Sequence, residues 1–311
     1  MALTSHQFAT IDDLRAMQAA VTRSWLTPRR PLVSCTPGDL AWWFARGEPG
    51  VDWASRIRVW TDGPVTVGWG WLSKPAELEW FVAADVDEAD ERRLRLEILD
   101  WARARVADDA PSDDDPPPGL EVWAADGWPE QDILAGLGFA PTDSGLTQFF
   151  QSLDRELPEP TVPDGYVVRS VAGPAEIPAR VEVHRAAFAP SKLTVEMYGL
   201  LVHLAPYRYD LDAVVEAPDG TFAAFTMAWL DAEASLGYFE PVGTHPDHQR
   251  RGLGKAVNAY ALRRLRDEGA REVMVYSALG NEASDALYRS VGFRPIAIHR
   301  RYTAPALQSA R

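Results

Sequence analysis

The sequence predicts two copies of one α/β domain in tandem, each built on a mixed sheet flanked by helices. Three observations carry this. A strand-like run at 236–242 ends in a basic, glycine-bearing turn, and that turn opens an amphipathic helix with Leu253, Ala256, Val257, Tyr260, Ala261 and Leu265 on one face. A proline-rich stretch at 157–165 interrupts the chain near its middle and ends in an Asp164-Gly165 turn. The same order of strands and helices is legible on both sides of it, in a chain whose 311 residues suffice for two cores. The expected division is a first domain over 1–156, a linker over 157–165 and a second domain over 166–311.

In order along the first half, Ile11, Leu14, Met17, Val21 and Trp25 fall at helical spacing behind Thr10, a possible N-cap, and predict a helix over 11–25. A proline-rich loop covers 27–38, and a short helix over 39–46 carries Trp42, Trp43 and Phe44. Strands over 56–60 and 65–72, joined by Thr61-Asp62-Gly63-Pro64, read as a hairpin. A strand over 78–83 and a long helix over 88–106 follow, then an Asp- and Pro-rich exposed loop over 108–119. A strand over 120–124, a short helix over 130–137 and a pair of strands from Gly138-Phe139 to near Leu153 close the half.

Beyond the linker, a strand over 166–171, helices over 175–188 and 194–204 and a strand over 211–217 repeat the plan. Pro218-Asp219-Gly220 turns into a strand over 221–230, and the run to Val242 leads into Thr244-His245-Pro246-Asp247-His248. The glycines of Gln249-Arg250-Arg251-Gly252-Leu253-Gly254 stand where the loop enters the next helix. There the unpaired N–H groups of the first turn and the helix dipole favour an anion, and glycine removes the Cβ that would hold a phosphate away. Arg250, Arg251 and Lys255 add positive charge at the same place, so the residues predict a pyrophosphate site at a helix N-terminus.

The segment Gln249 to Gly254 resembles the acyl-CoA signature Q/R-x-x-G-x-G/A of the GCN5-related N-acetyltransferases, the GNAT family. Its context agrees: a strand precedes it, a helix follows, and a further strand is expected over 272–277. Asn281-Glu282-Ala283-Ser284-Asp285-Ala286-Leu287-Tyr288 resembles the family's N-x-x-A-x-x-L-Y helix, and Val291-Gly292-Phe293 the G-F that starts its closing strands. The resemblance implies tandem GNAT (acyl-CoA N-acyltransferase) domains of the mycothiol synthase-like type and acetyl-CoA as cosubstrate, with no metal. The first copy departs from the pattern. Glu91-Arg92-Arg93-Leu94-Arg95-Leu96 stands where the signature is expected, leucines replace both glycines, and Glu88, Asp90 and Glu91 would repel phosphates. The N-terminal copy therefore reads as degenerate, with one site per chain.

Acetyl transfer to an amine needs a base for the amine, donors for the oxyanion and an acid for the leaving thiolate. The resemblance implies that backbone groups of Val242, Gly243 and Thr244 hold the pantetheine arm and polarise the thioester. Gln249, Arg250, Arg251, Gly252, Leu253, Gly254 and Lys255 then hold the pyrophosphate, and Asn281 bonds the arm or caps the helix behind it. Glu240, just before the pantetheine segment, is the candidate base, with a solvent-facing strand carboxylate as the alternative. Tyr288 is the candidate acid, with core packing as its alternative, and Pro241 leaves the local strand pairing open. His245 and His248 read as loop residues, His184 and His203 as half-buried polar contacts, and Arg263, Arg264 and Arg266 as a solvated helix face. Of the 12 tryptophans only Trp229 lies beyond the first copy, which favours packing over an acceptor pocket lined by Trp42 and Trp43.

Composition bounds the rest. A net charge of -14 argues against a nucleic-acid surface. The lone cysteine, Cys35, excludes an internal disulfide, and no His-x-x-x-His pair with a third ligand predicts a metal site. No apolar run spans a bilayer and the start does not resemble a signal peptide, so the expected location is cytoplasmic, with no membrane partner. Lysine stands only at 74, 192 and 255 while arginine is plentiful, a bias of GC-rich bacterial genomes. The function expected is N-acetyl transfer from acetyl-CoA to a primary amine of a small molecule, through a ternary complex in a monomer or homodimer. Antibiotics and peptide N-termini stay open as acceptors. The alternative is a non-catalytic acyl-CoA-binding module, which would need the glycine turn but neither Glu240 nor Tyr288.

Overall fold

A computed structural model describes residues 2–29, 35–47, 50–109 and 119–304. They form two compact units. The first holds the described parts of 1–35, 49–146 and 297–311, and the second holds those of 36–48 and 147–296. Among the described residues no helix is long and apolar enough to cross a membrane.

The chain begins with β1 (Leu3–Gln7) and α1 (Ile11–Trp25). The helix starts where the periodicity placed it because Thr10 and Asp13 close a capping box and Leu14, Met17 and Val21 share its buried side. α2 (Pro37–Ala45) starts on a second capping box, Thr36 with Asp39, and lies in the second unit. One turn, α3 (Trp53–Arg56), leads into the hairpin of β2 (Ile57–Asp62) and β3 (Val65–Lys74), and β4 (Glu77–Val82) adds antiparallel to β3. Gly70 on β3 lies against α4 (Glu88–Asp108). A Cβ there would stand 2.8 Å from Trp101 and 2.9 Å from Ile98, so glycine is what lets strand and helix approach. β5 (Glu121–Ala125), α5 (Glu130–Gly136) and β6 (Ala140–Ser152) follow.

The second half continues with β7 (Val167–Ser170), α6 (Ile177–Ala187), α7 (Val195–Leu201), β8 (Asp212–Glu216), β9 (Phe222–Asp231) and β10 (Leu236–Thr244). Then come α8 (Leu253–Asp267), β11 (Glu272–Ala278), α9 (Glu282–Ser290) and β12 (Arg294–Thr303). In the second unit the strands lie in the order β6-β11-β10-β9-β8-β7, with β10 antiparallel to β9 and parallel to β11, so the fold is mixed α/β. All of β9 is buried because helices cover both its faces. Ala224, Ala228 and Leu230 pack with Val257, Ala261 and Leu262 of α8, and Phe225 packs on the other side with Val183 of α6. In the first unit the order is β1-β2-β3-β4-β5, followed by the part of β12 from Ala297 on, which runs antiparallel to β5.

Several sequence expectations shift. The expected pair of strands up to Leu153 is one strand, β6, and the closing strands are one strand, β12. β1 was not expected; its exposed, polar Leu-Thr-Ser-His-Gln carries little strand signal. The compact units also differ from the division at 156 and 166. β6 leaves the first unit at Leu146, β12 enters it at Ala297, and 36–48 sit in the second. The 157–165 stretch is irregular but held: Arg263 donates to the carbonyls of Leu157 and Pro158 at 2.9 and 3.0 Å and pairs with Glu159. Arg264 pairs with Asp210 at 2.9 Å, so two of the three helix arginines are engaged rather than solvated. The 108–119 loop lies almost wholly outside the described residues.

The duplication is visible in backbone angles. Gly63 and Gly220 turn the corresponding hairpins with φ of +57° and +85°, and Gly138 and Gly292 take +81° and +108° after the corresponding helices. The third correspondence changes in kind. Gln249 to Gly252 form a loop, whereas Glu91 to Leu96 already lie inside α4, whose N-cap Asp87 accepts from the Asp90 N–H at 2.9 Å. Leu94 is therefore a core residue and Leu96 half-buried, on a helix that has absorbed the loop.

Candidate active site

β10 pairs with β11 from Leu236 to Phe239, and there the parallel ladder stops. On the other side the register with β9 shifts between Phe239 and Val242, which places Glu240 and Pro241 in a bulge; Pro241, with no N–H to donate, suits that place. From Glu240 to Thr244 the β11-facing edge of β10 is therefore free of ladder bonds. This opening holds Val242, Gly243 and Thr244, all half-buried. Gly243 is needed for packing, since a Cβ would stand 2.6 Å from the Phe225 ring and 2.9 Å from Ala187.

The turn after β10 leads to α8. Gly252 is its N-cap, in the left-handed region at φ +80°, and no side chain caps the helix. Helix geometry leaves the N–H groups of Leu253, Gly254 and Lys255 without carbonyl partners. Leu253 is buried in the core and so offers only its backbone, while Gln249, Arg250 and Lys255 are exposed. Arg250 takes φ +61°, unusual for a residue with a side chain, and neither it nor Lys255 makes an ion pair with a described residue. Arg251 donates to the Tyr166 hydroxyl at 3.0 Å, which also meets His248 Nδ1 at 3.0 Å, so His248 and Arg251 brace the turn. His245 Nδ1 accepts from the Asp247 N–H at 3.2 Å, again a loop role. A Cβ on Gly254 would approach Leu287 at 3.3 Å and Thr244 at 3.4 Å, so that glycine keeps clear the space between α8, β10 and α9. These residues fit a pyrophosphate: uncapped N–H groups, two unpaired cations and no side chain at the helix entry.

Glu240 is half-buried, and removal from water raises its carboxyl pKa, against the opposing pull of Arg46 and the indole of Trp42. Its backbone carbonyl accepts from the Trp229 indole N–H at 2.6 Å. Tyr288 is buried, 5.8 Å from the Phe149 ring and 5.9 Å from Phe293, and burial followed by the charges of Glu240 and Asp285 raises its pKa. It stays protonated throughout the neutral range, a more tightly held proton than the free phenol suggested. Asn281 caps α9, accepting from the Ser284 N–H at 3.1 Å, which leaves its amide nitrogen as the group able to face an arm in the opening. The structure thus brings together Glu240, Val242, Gly243, Thr244, Gly254 and Tyr288, and places Gln249 to Gly252 and Lys255 at the α8 end.

A family model described as the acetyltransferase (GNAT) family matches residues 189–293. The mycothiol acetyltransferase of Segniliparus rotundus is 30% identical over 190 residues, 58% of this chain and 71% of that protein. The chain belongs to the GNAT family. The mycothiol acetyltransferase of Nocardia farcinica is 31% identical over 192 residues, 59% of this chain, and the chain spans 63% of that relative's length. A tandem GNAT protein from the clavulanic acid biosynthesis pathway superposes with a TM-score of 0.64 at 17% identity, covering 99% of both chains, a likeness of fold across both copies.

Sequence reasoning missed the residues around Glu240 that come from α2. Asp39 is buried there and Trp42 is 1% exposed, with His184 of α6 at 5.7 Å between ring centres. His184 is buried rather than half-buried, and desolvation first, then the charges of Arg180 and Arg46, push its pKa down to about 3. The Thr36-Pro-Gly-Asp39 capping box was readable in the sequence; the strand it would pack on was not.

Proposed function

We propose that this GNAT chain transfers the acetyl group of acetyl-CoA to a primary amine within its second unit. The observation that carries the reading is the opening of β10 from β11, with Glu240 at its inner end and the uncapped N-terminus of α8 at its outer end. Gly252, Leu253, Gly254 and Lys255 would hold the pyrophosphate through backbone N–H groups, assisted by Gln249, Arg250 and Arg251, and Val242 to Thr244 and Asn281 the pantetheine arm. Acetyl-CoA supplies an acyl group activated as a thioester. Glu240 takes a proton from the amine as its nitrogen bonds the acetyl carbon, a backbone N–H of the 242–244 edge stabilises the oxyanion, and Tyr288 gives its proton to the departing sulfur. The raised pKa of Glu240 brings it closer to neutrality, where a base is most effective.

The first unit, on this reading, has lost its cofactor. The parallel pairing of β4 with β5 stops at Leu78, as that of β10 stops at Phe239, but there the Trp80 indole donates to the Trp123 carbonyl at 2.9 Å and occupies the opening. Arg95 lies 4.9 Å over the Trp80 ring and pairs with Glu91 and Glu130. Asp87 caps α4, and a cleft of about 420 Å³ beside it is lined by Glu88, Glu91 and Asp132 as well as Arg29 and Arg92. Carboxylates at a helix N-terminus compete with a phosphate. The relatives named mycothiol acetyltransferases support a small-molecule acceptor. Thiol release from acetyl-CoA across a panel of primary amines, a cysteinyl amino sugar among them, tests the reading: amine-dependent release supports it, and acetyl-CoA binding with no release for any amine would leave only a binding module.

A further inference from the structure

Gly38, Trp42 and Arg46 stand four residues apart along α2 and its C-cap, and so share one face of the helix. That face, with Asp39 beside it, meets β9 and β10 at three points. Gly38 lies flat on Trp229, where a Cβ would stand 2.4 Å from the ring's Cγ, and Trp229 is the residue whose indole N–H holds the Glu240 carbonyl. Asp39 accepts from the N–H and hydroxyl of Thr36 at 2.7 and 2.9 Å and is hydrogen-bonded to Tyr238, two residues before Glu240 on the same strand. The Trp42 indole N–H approaches the Glu240 carboxylate without completing a well-formed hydrogen bond, and among the described residues it has no other partner. The exposed guanidinium of Arg46 lies 5.2 Å from the centre of the Trp42 ring.

We propose that Trp42 and Arg46 are positioning residues for Glu240, fixing its carboxylate in the ionised form that accepts the amine's proton. The inference rests on the reading of Glu240 as base. It assigns to the second unit's machinery a segment encoded well before the linker, and it gives the first half a chemical role that does not depend on binding a cofactor. The charged and titratable groups facing this cluster are Asp39 on the same helix, Tyr238 on β10, Tyr276 on β11, Tyr288 on α9 and His184 on α6. Beside these groups Arg46 supplies the cationic pull on Glu240, with the Trp42 N–H as the donor next to it. Because Arg46 is exposed, its pull is open to screening by salt; that of the buried indole is not.

The test is a carboxyl titration by NMR of the full chain labelled with ¹³Cδ-glutamate, the Glu240 signal being the one lost in Glu240→Gln. Trp42→Phe, which keeps the ring and removes the N–H, and Arg46→Gln are each expected to raise the Glu240 midpoint by about half a unit or more. The Arg46→Gln shift should shrink in 1 M salt, where the screening length falls to about 3 Å, and the Trp42→Phe shift should persist. Calorimetric affinity for acetyl-CoA should stay at the wild-type value in both, because neither residue touches the α8 turn. Unchanged midpoints in both variants would overturn the proposal. If Trp42→Phe fails to fold, the exposed Arg46→Gln decides alone. Glu240→Gln tests the base reading separately: full amine-dependent thiol release in that variant sinks the base, whereas unmoved midpoints beside an inactive Glu240→Gln sink only the positioning role.

Discussion

Gly254→Glu tests the α8 turn with a change whose energetic effects on folding and on binding have opposite signs. Position 254 is in the first helical turn, where an acidic residue interacts favourably with the helix dipole and glycine is the weaker helix former, by about 1 kcal/mol against alanine. The new Cβ meets Leu287 at 3.3 Å and Thr244 at 3.4 Å, contacts that need shifts of a few tenths of an ångström. Folding stability should therefore stay within about 1 kcal/mol, a midpoint change of roughly 2–4 °C. Binding should suffer. Two like charges about 4 Å apart at a protein surface repel by about 4 kcal/mol, and halving that for solvent screening leaves about 2 kcal/mol, roughly a thirtyfold loss of affinity. Calorimetric titration with acetyl-CoA reads the affinity and the number of sites, and a thermal melt reads the fold. One site per chain, weakened by at least tenfold with the melt within roughly 4 °C of the wild type, is expected. Wild-type affinity in the variant would refute the placement of the pyrophosphate, and two sites in the wild type would refute the loss of the cofactor from the first unit.

Other expected outcomes follow from the buried groups. Glu240 acts deprotonated and its pKa is raised, so the acid limb of kcat/KM, read from the pH–rate profile, should lie above the ordinary carboxylate range, with rate lost as pH falls through it. Burial pushes Asp39 up to about 7, so the folded state holds its proton more tightly than the unfolded chain does. Its contribution to stability is thus greatest below about 4 and declines as pH rises to about 7, and Asp39→Asn should flatten that stretch of a urea-stability profile. Among the described residues Asp212 is the one anion paired with Arg180, at 2.9 Å with both side chains fully buried, and two guanidinium nitrogens have no hydrogen-bond partner there. Asp212→Ala should cost about 3–5 kcal/mol, roughly 10 °C in the melt, and Arg180→Met should recover part of it in the double variant.

What the sequence made legible is what short-range chemistry determines. α1 was readable to the residue because Thr10 and Asp13 close a box in front of a periodic apolar face, and the α8 turn because glycines and arginines at a helix entry have few other uses. The free edge of β10 came from the family resemblance, and the bulge at Glu240 and Pro241 is its local cause. What escaped depends on partners distant in sequence. The helix around Trp42 was expected, but nothing in Pro-Gly-Asp-Leu-Ala-Trp says that it packs on β9 and β10 rather than on the strands nearest in sequence. A pair of strands was expected up to near Leu153, yet β6 runs unbroken through Ser144-Gly145, since ladder bonds to neighbouring strands outweigh a local preference of a few tenths of a kcal/mol. The leucines at 94 and 96 were rightly seen as departures from the glycine pattern, but the backbone change, a helix begun earlier and capped by Asp87, is a tertiary outcome.

The central claim is that acetyl transfer occurs in the second unit with Glu240 as base, and Glu240→Gln tests it most directly. With an amine found active on the wild type, thiol release under saturating acetyl-CoA should fall by about 10²–10⁴ while the calorimetric affinity for acetyl-CoA stays unchanged. A variant that transfers acetyl at the wild-type rate would contradict the claim.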